Sequence, residues 1–253
     1  MAIIGMIPAR LQSSRLPEKA LADICGLPMV VHTCKRAMLA DSLDAVYLAT
    51  DSPVIEDVAA LHGIPVIMTG THHQTGTDRI AEAVGTIEGD IIVNIQGDEP
   101  MVDPDHIDAI VNGIRRDDTV KVAIGVTPYA ERNRSSDIKA VLDLANNILY
   151  CSRNDLPSES RTTVTSLWKM SFIVAFRRAF LFRYSGWAPT PLETIEYNEY
   201  LRILEHGYKI RAVRIEGAKI SVDTPEDLAI IRRLMIEDPL RHQYTPPRGR
   251  DTA

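Results

Sequence analysis

The stretch that decides the fold is MAIIGMIPARLQSSRLPEKA, residues 1–20. Ile3-Ile4-Gly5-Met6-Ile7 is a short apolar run of the kind that forms a buried strand. Pro8 ends it, because proline has no N–H to give to a sheet ladder. A polar loop follows with three long cations, Arg10, Arg15 and Lys19, against one acid, Glu18. Such cations repel one another unless an anion joins them. At the carboxyl end of a buried strand, where open α/β sheets bind ligands, they suit a triphosphate. The alternative is a solvated basic loop, since charge clusters are usually surface.

Working outward, apolar strands and helices alternate. Met29 to Ala40 reads as a helix with Val30, Val31, Cys34, Ala37 and Met38 inward, and Ala45 to Ala49 as a strand ending at Thr50-Asp51. Pro53 to His62 is helical and stops at Gly63; Pro65 to Met68 is a strand; Asp78 to Val84 is helical. Asp90 to Ile95 is a strongly apolar strand, followed by a helix over Asp103 to Arg115. This rhythm predicts an α/β fold, a mostly parallel sheet with helices on both faces. One domain over 1–237 is expected, and the proline- and arginine-bearing end, 238–253, reads as a flexible tail.

Composition narrows the function classes. With 45% hydrophobic and 25% charged residues, the 253-residue chain can bury a full core. A net charge of −6 disfavours nucleic acid as partner. No apolar run is long enough to span a bilayer, and Met1 to Ile7 lacks the pattern of a signal peptide. Cys25, Cys34 and Cys151 have neither metal-ligand nor redox-pair spacing and fit reduced, mostly buried thiols of a cytoplasmic protein.

Two further stretches carry chemistry. In Gln96-Gly97-Asp98-Glu99-Pro100, Gly97 allows a tight turn and leaves Asp98 exposed at the sheet edge. A carboxylate there can hold Mg²⁺, which takes few protein oxygens and shares the rest with phosphates and water; equally, Asp98 could cap the following helix. In Ser221-Val222-Asp223-Thr224-Pro225-Glu226-Asp227, a capping box accounts for Thr224, Pro225 and Asp227 but leaves Asp223 available as a second metal ligand. The loop His73-Gln74-Thr75-Gly76-Thr77-Asp78-Arg79 offers hydrogen bonds suited to a nucleobase edge. His72-His73 reads as surface loop, because adjacent residues make poor joint metal ligands. Neither a Gly-x-Gly-x-x-Gly nor a Gly-Lys-Ser/Thr motif occurs, which disfavours dinucleotide binding and P-loop chemistry.

IPARLQSSRLPEKAL at 7–21, ATD at 49–51, HQTGTDR at 73–79, VNIQGDEP at 93–100, IKAVLD at 138–143, LYCSRNDLP at 149–157, WAPTPLETIE at 187–196 and VDTPEDL at 222–228 together resemble the CMP-Kdo synthetases, the 3-deoxy-manno-octulosonate (Kdo) cytidylyltransferases. The likeness runs in order from residue 3 to about residue 234. It implies a Rossmann-like nucleotidyltransferase fold with a smaller acceptor and dimer lobe near 127–200, a homodimer, and Mg²⁺-dependent transfer of CMP from CTP with release of pyrophosphate. By the same resemblance Ala9, Arg10, Arg15, Lys19, Gln74, Thr75, Gly76, Arg79 and Gln96 form the nucleotide site. Arg10 and Lys19 act in catalysis with Asp98 and Asp223, and these two acids hold the metal. Lys169, Met170, Val174, Glu199 and Tyr200 fall at the acceptor site.

The acceptor region departs from the family. Where relatives carry Arg-His-x-Gly-x-Tyr, this chain has Lys169-Met170-Ser171-Phe172-Ile173-Val174, and the glutamine after Glu199 is Tyr200. Losing partners leaves sugar hydroxyls unpaired, at roughly 1–3 kcal/mol each. The substitutions therefore predict a less polar pocket, with Kdo a poor substrate, and a different sugar acid or a smaller anion such as a phosphonate preferred. Lys169 is expected to keep a positive charge for the acceptor's anion. A nonenzymatic nucleotide sensor is the rival from another class; it would tolerate loss of Asp98 or Asp223, and both are present. Sugar-1-phosphate nucleotidyltransferases are disfavoured because the loop from Pro8 to Lys19 contains no glycine.

Overall fold

The computed structural model describes residues 1–13, 16–158, 160–162, 167–217 and 220–245. The chain opens with β1 (Ile3–Ala9), a small hairpin of β2 (Asp23–Ile24) and β3 (Leu27–Pro28), and α1 (Met29–Ala37). It continues through β4 (Ala45–Thr50), α2 (Pro53–Leu61), β5 (Val66–Met68), α3 (Gly76–Val84), β6 (Ile91–Ile95) and α4 (Pro104–Arg115). The second half holds β7 (Val122–Tyr129), β8 (Lys139–Leu142), β9 (Ile148–Ser152), β10 (Leu167–Arg177), α5 (Arg178–Ser185), α6 (Pro191–Glu196), α7 (Leu201–Glu205), β11 (Arg211–Arg214) and α8 (Pro225–Ile236).

The main sheet runs β11-β7-β10-β6-β1-β4-β5. β1 pairs in parallel with β4 and β6, β4 with β5, and β7 with β11. Only β10 in that row is antiparallel to its neighbours, β6 and β7. β1 and β6 are buried on both faces, which is why each reads as a continuous apolar run. Two cores lie on opposite sides of the sheet: Ile7, Val31, Leu48, Ile55, Val93 and Ile107 on one, Met6, Ile80, Ile92, Phe176 and Tyr184 on the other. Expected elements appear with ends shifted by one to three residues. α1 stops at Ala37, and Met38, expected inward, is 36% exposed as its C-cap.

β8, β9 and the far half of β10 extend the sheet as an antiparallel lobe, β10 pairing with β8 and β8 with β9. In β10 the register against β7 steps from Ser171↔Gly125 to Val174↔Ile124, so Phe172 and Ile173 stand against a single step of the partner. The step adds two residues to β10, so its alternation is kept: Met170, Phe172, Val174 and Phe176 lie on one face and Ile173 and Ala175 on the other.

Residues 238–245, read from sequence as the start of a tail, are docked. Pro239–Gln243 is a 3-10 turn capped by Asp238, and Asp238 pairs with the buried Arg36 of α1. His32, wholly buried, accepts at Nδ1 from the Tyr244 hydroxyl and donates from Nε2 to the Ile24 carbonyl, which can only accept. Residues 246–253 lie outside the described part.

Candidate active site

The carboxyl ends of β1 and β6 lie side by side, and both turn sharply. A Cβ on Gly97 would stand 2.8 Å from the Pro8 carbonyl oxygen, so glycine is required by the close approach of the two chains. The turn carries Asp98 outward beside the segment before α8, where the Val222 N–H donates to the Asp98 carbonyl at 2.9 Å. Asp223 follows directly. Capping is done elsewhere: Asp103 accepts from Asp105 N at the start of α4, and Thr224 and Asp227 form the capping box of α8. Neither Asp98 nor Asp223 is consumed as a cap.

Lys19 brings the two acids together. Its ammonium donates to Asp98 Oδ2 at 2.6 Å, to Asp223 Oδ1 at 3.3 Å and to the Val222 carbonyl at 2.9 Å. Two carboxylates thus converge on a point already held by a cation. The donor set is all oxygen, with no nitrogen or sulfur ligand, and suits a hard divalent ion. Lys19, expected to face phosphate, joins the acids and also lines the cavity beside them.

A cavity of about 290 Å³ opens beside this cluster. It is lined by Ala9, Arg10, Lys19, Gln74, Thr75, Gly76, Arg79, Gln96, Asp98 and Asp223, so every expected nucleotide-site residue except Arg15 meets there. Arg15 lies outside the described residues. Their roles differ. Arg10 is exposed and makes no ion pair among the described residues. Arg79 is buried and already paired with Asp51 at 2.9 Å and Thr69 at 2.6 Å, which makes it a support for the loop. Thr75 caps α3 by accepting from Asp78 N, and Gly76 packs on the Pro8 ring. Gln12, Ser13 and Met29 also line the cavity; the first two sit inside the motif block at 7–21 but were not singled out, and Met29 carried no sequence signal.

Across Asp98 and Asp223 lies a second cavity of about 310 Å³. Gln96, Asp98 and Asp223 border both, so the acids stand at the junction. Its other walls are Glu99, Ser136, Ile138, Arg153, Phe172, Tyr197, Asn198, Glu199, Tyr200 and Ser221. Polar and apolar residues both line it: of the substituted positions Tyr200 is in its wall, and Met170 and Val174 are not. Val174 is wholly buried in the core with Phe176 and borders none of the described cavities; Met170, equally buried, reaches only a further cavity of about 460 Å³. Lys169 also faces that further cavity, and Asp137 cancels its charge at 2.6 Å. The cation of the second cavity is Arg153, which sequence reading missed although it sits inside a motif block. Its guanidinium donates to the main-chain carbonyls of Ser135, Ser136, Glu196 and Tyr197, and it makes no ion pair among the described residues.

A buried hydrogen-bond chain runs between the two cavities. Gln96 donates to Asn94, Asn94 to Thr77, and Thr77 to Glu199 at 2.8 Å, while Tyr184 donates to the other Glu199 oxygen. Burial raises the Glu199 carboxyl above its ordinary range despite these donors. Burial, with Asp98 next to it, pushes Glu99 up to about 7. The His72 and His73 rings lie with centroids 4.2 Å apart, tilted by 39°, and Glu82 of α3 joins them, placing three ligand atoms within 4.8 Å of one another. That nitrogen-rich group differs in kind from the oxygen pair at Asp98 and Asp223 and would suit a transition metal.

The cytidylyltransferase family profile matches residues 4–210. The chain belongs to the cytidylyltransferases, in the CMP-Kdo synthetase family. Its relatives include the 3-deoxy-manno-octulosonate cytidylyltransferase of Chlorobium phaeobacteroides (strain BS1), 41% identical over 246 residues, 94% of this chain and 98% of that one. The corresponding protein of Yersinia pestis bv. Antiqua (strain Angola) is 39% identical over 249 residues, 93% and 99% of the two chains. Among solved structures, a CMP:2-keto-3-deoxy-manno-octonic acid synthetase complexed with CTP superposes with a TM-score of 0.90 at 36% identity, over 93% of this chain and 99% of that one. A 4-diphosphocytidyl-2C-methyl-D-erythritol synthase from Anaerococcus prevotii, at 12% identity and TM-score 0.63, shares the fold.

Proposed function

We propose that this cytidylyltransferase transfers CMP from CTP to an anionic sugar acid of the Kdo class, releasing pyrophosphate. The observation that carries the reading is the position of Asp98 and Asp223, which border both the nucleotide-side and the acceptor-side cavity. A reacting oxygen and an α-phosphate placed one in each cavity meet at these acids.

The chain's own groups divide the work. Arg10, unpaired at the mouth of the first cavity, is placed to meet triphosphate oxygens. Gln74 and the Gly76 turn border the base side of the same cavity. Arg153 offers the acceptor's carboxylate a positive charge in the second cavity, its guanidinium held by main-chain carbonyls with the Glu196 carboxylate nearby, whereas Lys169 is paired with Asp137. With both reactants held, the acceptor hydroxyl oxygen attacks the α-phosphorus in line and gives up its proton to solvent, while the bond to the β-bridging oxygen breaks so that this oxygen leaves with pyrophosphate. Asp98 and Asp223 fit Mg²⁺ as ligands, and the ion supplies charge neutralisation beside the phosphates when bound.

A homodimer belongs to the same reading. Leu144, Leu149, Ile195 and Tyr197 are exposed on or beside the β8–β9 lobe, where a second copy would cover them. Sedimentation should give twice the 28.1 kDa chain mass. The activity is tested with CTP, Mg²⁺ and a panel of sugar acids and phosphonates, scored by pyrophosphate. Release with at least one sugar acid is expected; none with any acceptor would refute the reading.

A further inference from the structure

The transfer chemistry assigns no role to His72, His73 or Glu82. Side chains of neighbours on an extended chain point to opposite sides, yet these two imidazoles lie together, with centroids 4.2 Å apart. Gly70 makes the room: a Cβ there would stand 2.6 Å from His72 Nδ1. Glu82, near the end of α3, turns its carboxylate back to the loop and accepts from the Gly70 N–H at 3.1 and 3.2 Å. His73 Nε2 is hydrogen-bonded to the same carboxylate. The His73 side chain is only 8% exposed, so one member of the group is held inside the loop while Glu82 and His72 stay accessible. Among the described residues this is the one group of three His, Cys, Asp or Glu side chains with ligand atoms so close, all within 4.8 Å.

We propose that His72, His73 and Glu82 bind a transition-metal dication of the zinc class, at a site separate from the Asp98–Asp223 pair, and that the ion clasps the loop at 70–75 to α3. Two imidazole nitrogens and one carboxylate oxygen select such an ion over Mg²⁺, which takes oxygen. Ligands about 2.0–2.2 Å from a tetrahedral ion stand about 3.4 Å from one another, so a small swing of the exposed His72 ring completes the set. The proton that His73 and Glu82 share passes to solvent as the ion enters. The Gly70 N–H keeps the carboxylate oriented, as an outer partner of a ligand does. All three side chains line a cavity of about 1130 Å³ that Arg10 also borders, so the fourth position opens to solvent and the ion can exchange. Gln74, Thr75 and Gly76, which line the nucleotide cavity, follow the two histidines directly. An ion here therefore fixes the segment that carries them. The proposal does not depend on the acceptor or on CMP transfer.

The test titrates zinc chloride into the chelator-treated full chain by calorimetry, in excess Mg²⁺. One equivalent should bind. His72→Ala and Glu82→Gln should each weaken it by at least the roughly tenfold that loss of an outer partner costs. Both variants should fold, since His72 is exposed and the new amide oxygen still accepts from the Gly70 N–H. Asp98→Asn and Cys25→Ser should keep the wild-type zinc affinity, because neither residue belongs to the group. Zinc should also raise the melting temperature of the wild type and not that of His72→Ala, since a ligand stabilises only the fold that binds it. Cobalt in place of zinc should give the strong visible absorption of a four-coordinate site, lost in Glu82→Gln. No binding by the wild type, unchanged affinity in both His72→Ala and Glu82→Gln, or loss of the zinc in Asp98→Asn or Cys25→Ser would overturn the proposal.

Discussion

Lys19 is tied to Asp98 and Asp223 across 79 and 204 residues of sequence, and this three-residue contact is the centre of the site. Changing either acid to asparagine keeps its shape and removes its charge. Asp98→Asn and Asp223→Asn should each lower kcat by at least about a hundredfold, the scale on which electrostatic groups act at a reacting centre. Melting temperature should change little, because neither side chain caps a helix. Near-normal turnover in saturating Mg²⁺ would remove that residue from the metal site. Each amide still accepts from Lys19, so a loss of activity without loss of stability would separate metal binding from the Lys19 contact.

At the scale of elements, Lys139 on β8 organises the acceptor side. It is fully buried, and its ammonium donates to the carbonyls of Arg134, Asp137 and Arg153, with Asp155 at 3.5 Å. One cation thus joins the loop bearing Ser136 to the strand end bearing Arg153. Lys139→Met leaves those carbonyls without their donor and Asp155 without its partner. Breaking a buried charged contact of this kind costs about 3–5 kcal/mol. Denaturant unfolding should show a loss of that size. Steady-state kinetics should show the acceptor KM rising about tenfold while the calorimetric affinity for CTP, whose cavity Lys139 and its partners do not line, stays within about twofold. Equal losses for both substrates would mean that Lys139 supports the whole sheet and not the acceptor side.

Across the whole molecule, the segment at 238–245 closes the fold onto α1. Asp238 is the partner of the buried Arg36, and Arg36 also donates to the Val102 carbonyl at 2.6 Å, in the turn that follows Asp98. Asp238→Ala should destabilise by about 3–5 kcal/mol by stranding that guanidinium. A loss below about 1 kcal/mol on urea unfolding would show that water or another carboxylate reaches Arg36. His32 makes the same docking depend on pH. Burial lowers its pKa from 6.5, with Arg241 and Arg36 acting in the same direction and Asp23 against them. The unfolded chain therefore binds more protons than the folded one just below pH 6.5, so stability is lost as pH falls through that window and fully present above it. Thermal melts should show Tm dropping below pH 6.5, with a shallower slope in His32→Gln; parallel slopes would assign the acid sensitivity to other groups.

What the sequence by itself determined was local or serial. The apolar runs of β1 and β6, the caps of α4 and α8, and the order of motif blocks were legible because strand burial, capping and motif order depend on residues near one another in the chain. The nucleotide cavity was nearly complete from those blocks. The tertiary structure alone decided how Asp98 and Asp223 meet, because Lys19 and the Val222–Asp98 main-chain bond join segments that sequence separates. It also decided the acceptor wall. Val174 packs into the core with Met170 and Phe176, whereas Phe172, on the same face of β10, is only partly covered and lines the cavities, because what packs over each part of a strand face is not written in its alternating pattern. The ion pair of Lys169 was hidden for a similar reason: sequence does not tell which carboxylate the fold brings beside a cation, and Asp137 arrives from 32 residues away.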